Sequence, residues 1–108
     1  MNMTVIGRHM DVTDALREYA QDKASKLPHL YDALQSVDVT FVLDAGEYEV
    51  EIVAKGKRKS TFVARQRGAD MYACLDQCVH KLQEQLRRHK DRVRDRQGPP
   101  HEQTMTPE

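Results

Sequence analysis

With 108 residues and two cysteines four positions apart, the chain is long enough for one modest core and lacks the cysteine framework of a small secreted scaffold, which fits a reducing compartment. No signal-peptide core opens it and no apolar run approaches the roughly 20 residues of a membrane span, so a soluble cytoplasmic protein is expected. Its 17 Lys/Arg and 17 Asp/Glu cancel only on paper: residues 1–54 hold four cations against ten acids, whereas 55–96 hold thirteen against five.

Met3 to Ile6 reads as a short strand closed by Gly7. Thr13-Asp14 then reads as a helix start, the threonine hydroxyl capping free N–H groups and the aspartate suiting the first turn. Leu16, Tyr19, Ala20 and Leu27 recur at helical spacing, and Pro28 ends the helix or begins a short extra turn. Leu30 and Tyr31 are expected to join the core.

The period then changes to two. Val37, Val39, Phe41 and Leu43 alternate with Asp38, Thr40 and Val42; a turn at Asp44-Ala45-Gly46-Glu47 follows; and Tyr48, Val50, Ile52 and Ala54 alternate with Glu49, Glu51 and Val53. A second turn, Lys55-Gly56-Lys57-Arg58-Lys59, leads to a third strand of this block with Phe62 and Ala64 inward and Arg65 and Arg67 on or beside the outer face. Asp70 caps a long final helix, in which Met71, Leu75, Val79, Leu82, Leu86 and Val93 form an apolar stripe flanked by Tyr72 and Cys78.

The element string is therefore β-α-β-β-β-α. It predicts an α+β two-layer sandwich: a four-stranded mixed sheet with two helices packed on one face, a layout like that of double-stranded-RNA-binding domains. The domain is expected over residues 1–96, with 97–108 as a mobile tail rich in proline and poor in apolar residues. The open sheet face, carrying Asp38, Glu49 and Glu51, should be largely acidic and a poor surface for nucleic acid.

Segregated positive charge suits a polyanion. On the helical wheel Lys81, Arg88 and Arg92 share a narrow sector beside the core stripe with Gln85 between them, while Lys90, Arg87 and Arg94 fan out on the other side. Such a helix can lay cations along phosphates with its leucines still docked on the sheet. The same pattern also describes a solubilising face partly neutralised by Glu84, Asp91 and Asp95. The tip Lys55–Lys59 holds four cations in five residues, suited to reaching a groove or to guarding the sheet against aggregation.

Cys74 and Cys78 could supply two zinc ligands, but His80 points away from both on the wheel and a structural site needs four ligands, so no metal is expected. Nor does the sequence offer a phosphate loop, a paired-carboxylate signature or a nucleophile–histidine pattern, and no enzyme activity is expected.

The run Asp70-Met71-Tyr72-Ala73-(Cys74)-Leu75-Asp76, continuing through Lys81-Leu82-Gln83-Glu84-Gln85-Leu86 to Arg88-His89-Lys90, closely resembles the ribosome hibernation promoting factor family, historically labelled sigma-54 modulation proteins. Ile6-Gly7-Arg8-His9-Met10-Asp11-Val12-Thr13-Asp14-Ala15-Leu16-Arg17-Glu18-Tyr19, with Lys23, Lys26-Leu27 and Tyr31, resembles the family's first strand and helix. The resemblance implies a short translation inhibitor, without catalysis or cofactor. It would dock in the messenger and transfer RNA channel of the small ribosomal subunit through ribosomal RNA phosphates, sometimes alongside another hibernation factor. It implies RNA-binding roles for Lys81, Arg88, Lys90 and Arg92 of the second helix, Lys23 and Lys26 of the first, and Arg8 beside the first strand, with Lys57, Arg58 and Lys59 as further candidates. His80 departs from the family's usual Asp or Asn, and the tip is more basic than the family pattern. A short member is expected, without the extra domain through which long members pair ribosomes, and the tail is neither clearly basic nor clearly acidic, so either direction of pairing fits. Rival expectations are a protein-interaction regulator acting on a sigma factor and a generic double-stranded RNA binder.

Overall fold

A computed structural model describes residues 1–97, with side chains described as far as Arg92. The predicted Val93 of the stripe, Arg94 of the basic fan and the tail lie outside the described side chains or residues. The order is β1 (Asn2–Arg8), α1 (Asp14–Ala24), a single turn α2 (Leu27–Leu30), β2 (Leu34–Asp44), β3 (Glu47–Gly56), β4 (Thr61–Gly68) and α3 (Met71–Gln97).

The strands lie in sequence order, β1 parallel to β2 and the other pairs antiparallel. This is the expected four-stranded mixed sheet. Val5, Val37, Val39, Phe41, Val50, Ile52, Ala54, Phe62 and Ala64 project to one side and are buried under Leu16, Ala20 and Ala24 of α1 and Leu75, Cys78, Leu82 and Leu86 of α3. Burying one face while wetting the other requires the period-two pattern the strands show.

Local signals place the ends. Thr13 Oγ1 accepts the Leu16 N–H at 3.1 Å and Asp70 Oδ1 accepts the Tyr72 N–H at 3.0 Å, so each long helix starts on its predicted cap. Pro28 sits in the first turn of α2, where its missing N–H costs nothing. Gly46 at φ 82° follows Ala45 at φ 54°, the doubly left-handed geometry whose twist suits a tight hairpin.

β1 runs further than predicted. Gly7 does not close it but pairs with Phe41 inside the parallel ladder. A Cβ there would lie 2.5 Å from the Met10 carbonyl oxygen, so the turn folding back under the strand requires glycine.

Both outer strands have backbone oxygens that no neighbouring strand uses. Arg17 of α1 donates to the Val5 carbonyl at 2.9 Å on β1, and Lys81 and Gln85 of α3 donate to the Arg65 and Val63 carbonyls at 3.2 and 3.0 Å on β4. Helix side chains thus cap both rims of the sheet.

Candidate nucleic-acid interface

The apolar stripe seats α3 on β3 and β4, and its two flanks then face different neighbours. One flank lies over the β4 rim: Lys81 Nζ also donates to Gln66 Oε1 at 2.7 Å, and Gln85 follows one turn later. Arg88 and Arg92 continue this flank at helical spacing. The other flank faces α1, where Tyr19 and Tyr72 meet edge to face at 4.8 Å between centroids. The Tyr19 hydroxyl donates to Asp76, 2.8 and 3.0 Å from its two oxygens, and Lys23 Nζ lies 3.9 Å from Asp76 and 5.4 Å from the Tyr19 ring centre. Lys90 falls on this side, five full turns beyond Tyr72.

Between α1 and α3 runs a groove of about 310 Å³ lined by Lys23, Lys26, Asp76, Val79, His80 and Gln83. It gathers Lys23, in the last turn of α1, and Lys26, which lies past the end of α1 as the N-cap of α2 rather than in the first helix as expected, against α3. Lys26, Lys90 and Arg92 are exposed and have no partner among the described residues. Arg88 is 3.5 Å from Glu84, which also lies 3.4 Å from His80 Nε2. These exposed pairs are screened by water and bind Arg88 only weakly.

Arg8 is not brought into this array. It alternates with the buried Val5 and the half-buried Gly7 and belongs to the open side of the sheet, opposite the helices, where it pairs in register with Val42. The open face also departs from the predicted acidic surface. Arg65 Nε meets Glu51 at 2.8 Å, and Arg67 reaches Glu47 at 3.3 Å and Glu49 at 3.2 Å. The β3–β4 register sets these opposite charges side by side and neutralises the face.

The tip Lys57–Lys59 is a tight turn closed by Ser60 N–H on the Lys57 carbonyl at 3.2 Å and anchored by Lys57 N–H on the Ala33 carbonyl at 3.3 Å. Arg58 and Lys59 are both left-handed, at φ 60° and 62°. Each costs about 1–2 kcal/mol relative to a right-handed residue, and Asn-Gly is the usual choice for such a turn.

Cys74 and Cys78 are packed in the core. The Cys78 thiol donates to the Val50 carbonyl at 3.3 Å, and burial pushes its pKa up to about 12; burial also raises Cys74. Both are poor thiolates and hence poor metal ligands or nucleophiles. Among the described residues no group of three His, Cys, Asp or Glu side chains could hold a metal, and no helix is long and apolar enough to cross a membrane.

The roles of four residues escaped the sequence. Asp76 and Tyr19 are 57 positions apart, so nothing local announces their bond. His89 is not a surface histidine of the basic stretch: its ring packs 5.0 Å from Tyr31 and 5.2 Å from Phe62, pinning the distal part of α3 to the β3–β4 tip. Gln85 was legible only as a spacer.

By architecture and charge the molecule is a small α+β domain with Lys23, Lys26, Lys81, Arg88, Lys90 and Arg92 on its helical side. The family model described as "Sigma 54 modulation protein / S30EA ribosomal protein" matches residues 3–94. The ribosome hibernation promoting factor of Azotobacter vinelandii is 34% identical over 97 residues, covering 90% of each chain. That of Escherichia coli (strain K12) is 29% identical over 94 residues, covering 87% of this chain and 98% of the relative. Among solved structures, the N-terminal domain of Thermus thermophilus Protein Y superposes with a TM-score of 0.74 at 28% identity, covering 82% of this chain and 99% of that one. A ribosomal subunit interface protein from Coxiella burnetii gives 0.78 at 27%, covering 84% and 99%. The chain belongs to the sigma 54 modulation protein / S30EA ribosomal protein family.

Proposed function

We propose that the chain is a non-catalytic, cytoplasmic ribosome-binding factor that silences and protects idle ribosomes under starvation or in stationary phase. It docks on the small subunit, in the channel used by messenger RNA and transfer RNA anticodon ends, and meets ribosomal RNA through its helical side. Lys23 from α1, Lys26 at the start of α2, and Lys81, Arg88, Lys90 and Arg92 from α3 supply the phosphate contacts. Arg8 contributes from the sheet side and Lys57, Arg58 and Lys59 from the tip. Occupation of the channel excludes messenger and transfer RNA by volume, so neither a small-molecule substrate nor a bond-making group is required. Another hibernation factor is a further partner in this reading.

The observation that carries it is the α1–α3 groove, lined by Lys23 and Lys26 opposite His80 and Gln83, in a chain whose relatives are named for ribosome hibernation. Phosphate backbones are read here by shape and charge, which needs no base code. Such binding releases counterions, and the logarithm of affinity falls with the logarithm of salt by about 0.7–0.9 per phosphate neutralised.

Co-sedimentation of the purified chain with small subunits across a salt series tests the proposal. Binding should weaken steeply with salt and be abolished at moderate salt by Lys26→Glu with Lys90→Glu, two exposed side chains whose reversal leaves the circular dichroism spectrum unchanged. Undiminished co-sedimentation of the double variant would remove these residues from the interface. Equal affinity for free duplex RNA would favour a generic RNA binder, and capture of a sigma factor without ribosomes would favour the regulator.

A further inference from the structure

The β4 flank of α3 and the hairpin tip keep step with one another. Lys81 reaches the Arg65 carbonyl; four residues on, Gln85 reaches the Val63 carbonyl, two residues back along β4. Four helical residues rise about 6.0 Å and two strand residues about 6.4–6.8 Å, so the elements stay matched. One turn further along α3, the His89 ring packs 5.2 Å from that of Phe62. Arg92 follows Gln85 by seven residues, two turns and about 10.5 Å along the same flank, in the direction of the tip.

At the tip lies a cavity of about 570 Å³ lined by Gln35, Lys55, Lys57, Arg58, Lys59 and Thr61, with Gly56 and Ser60, and by no aliphatic or aromatic residue. The four cationic side chains have no ion pair, and the backbone N–H groups of Arg58 and Lys59 no hydrogen bond, among the described residues. A turn needing only to reverse the chain would use Asn-Gly; two long cations held left-handed mark a position chosen for charge. The absence of an apolar anchor argues for a phosphate backbone rather than an acidic peptide, which ordinarily binds through buried side chains as well.

We propose that the tip, together with Arg88 and Arg92, forms a second phosphodiester track, separate from the α1–α3 groove and on the opposite flank of α3. The helix then lies between two RNA backbone segments, one in the groove and one along the β4 rim. This rests on reading the chain as an RNA-binding factor and adds where the second segment runs.

The test is an amide-resolved NMR titration of the full chain with a single-stranded oligouridylate, inorganic phosphate and an oligoglutamate of equal charge. The wild type is compared with Arg58→Gly/Lys59→Gly, which removes two cations while leaving residues that favour the left-handed backbone. In the wild type, oligouridylate should shift the amides of residues 57–60 and of residues 23–26. The glycine variant should lose the tip shifts, keep those of the groove, bind RNA roughly tenfold more weakly and lower the salt slope by about 1.4, two single-strand phosphates' worth. Silent tip amides when RNA saturates the groove, or an unchanged slope in the variant, would overturn the track. So would oligoglutamate binding the tip as tightly as RNA, or shifts with inorganic phosphate alone. Wild-type tip shifts without ribosome co-sedimentation would sink the proposed function and leave the track standing; co-sedimentation with a silent tip would do the reverse.

Discussion

Exchanging Asp76 for asparagine should strengthen RNA binding. The carboxylate accepts the Tyr19 hydroxyl and lies 3.9 Å from Lys23 Nζ, within an otherwise cationic or neutral groove lining. At that distance the Coulomb attraction is about 1 kcal/mol in water and about 4 kcal/mol at an effective dielectric of 20. The two side chains are 32% and 47% exposed, so the value belongs near the lower limit, at roughly 0.2–1 kcal/mol. Asparagine retains an acceptor for Tyr19 and the fold should lose no more than about that amount. Meanwhile Lys23 is released toward phosphate, and one added contact steepens the salt slope by about 0.7–0.9. Co-sedimentation should therefore rise at low salt and converge with wild type at high salt. Tyr19 provides an independent readout. Its pKa is raised by burial first, then by the hydrogen bond and charge of Asp76, so asparagine should lower it in an ultraviolet titration. Weaker RNA binding with an unchanged slope would show that Asp76 positions Lys23 rather than masking it.

Arg58→Gly should stabilise the free protein. The left-handed penalty of about 1–2 kcal/mol exceeds the extra freedom of unfolded glycine, about 0.5–1 kcal/mol, so the melting temperature should rise by a few degrees, and a fall would contradict the turn geometry. Leu82→Ala, at a fully buried site between α3 and the sheet, should cost about 2–5 kcal/mol in urea unfolding; a loss below 1 kcal/mol would show that α3 is not seated by this stripe. Cys78 should contribute to alkaline sensitivity. Its folded pKa is raised from 9.0 to about 12, so its stabilisation is present below pH 9 and lost as pH climbs through 9 to 12, on the order of 4 kcal/mol in full. Cys78→Ala should therefore lose less stability than wild type between pH 7 and 10.5, and equal losses would exclude the thiol as the cause.

Much of the fold was legible because its signals are local. Thr13 and Asp70 cap within three residues, Pro28 acts on its own turn, and the alternation from Val37 to Ala54 encodes a one-sided sheet. The site was legible as a list of cations but not as an arrangement. A helical wheel separates Lys81 from Lys90, yet only docking of α3 shows that one flank faces the β4 rim and the other faces α1. Register created the largest surprise: Glu51 and Arg65 lie 14 residues apart, Glu47 and Arg67 20 apart, and their pairing neutralises a face whose strand sequences look acidic. Arg8 shows the converse, a residue in a convincing motif that the parity of its strand turns away from the helices.

The capped rims carry one consequence for the bound state. Lys81 commits two of its three ammonium protons to the Arg65 carbonyl and Gln66 Oε1, so the third can meet a phosphate while the β4 rim stays capped. On that side of the molecule, gripping nucleic acid and refusing a foreign β-strand are tasks that one side chain can perform together.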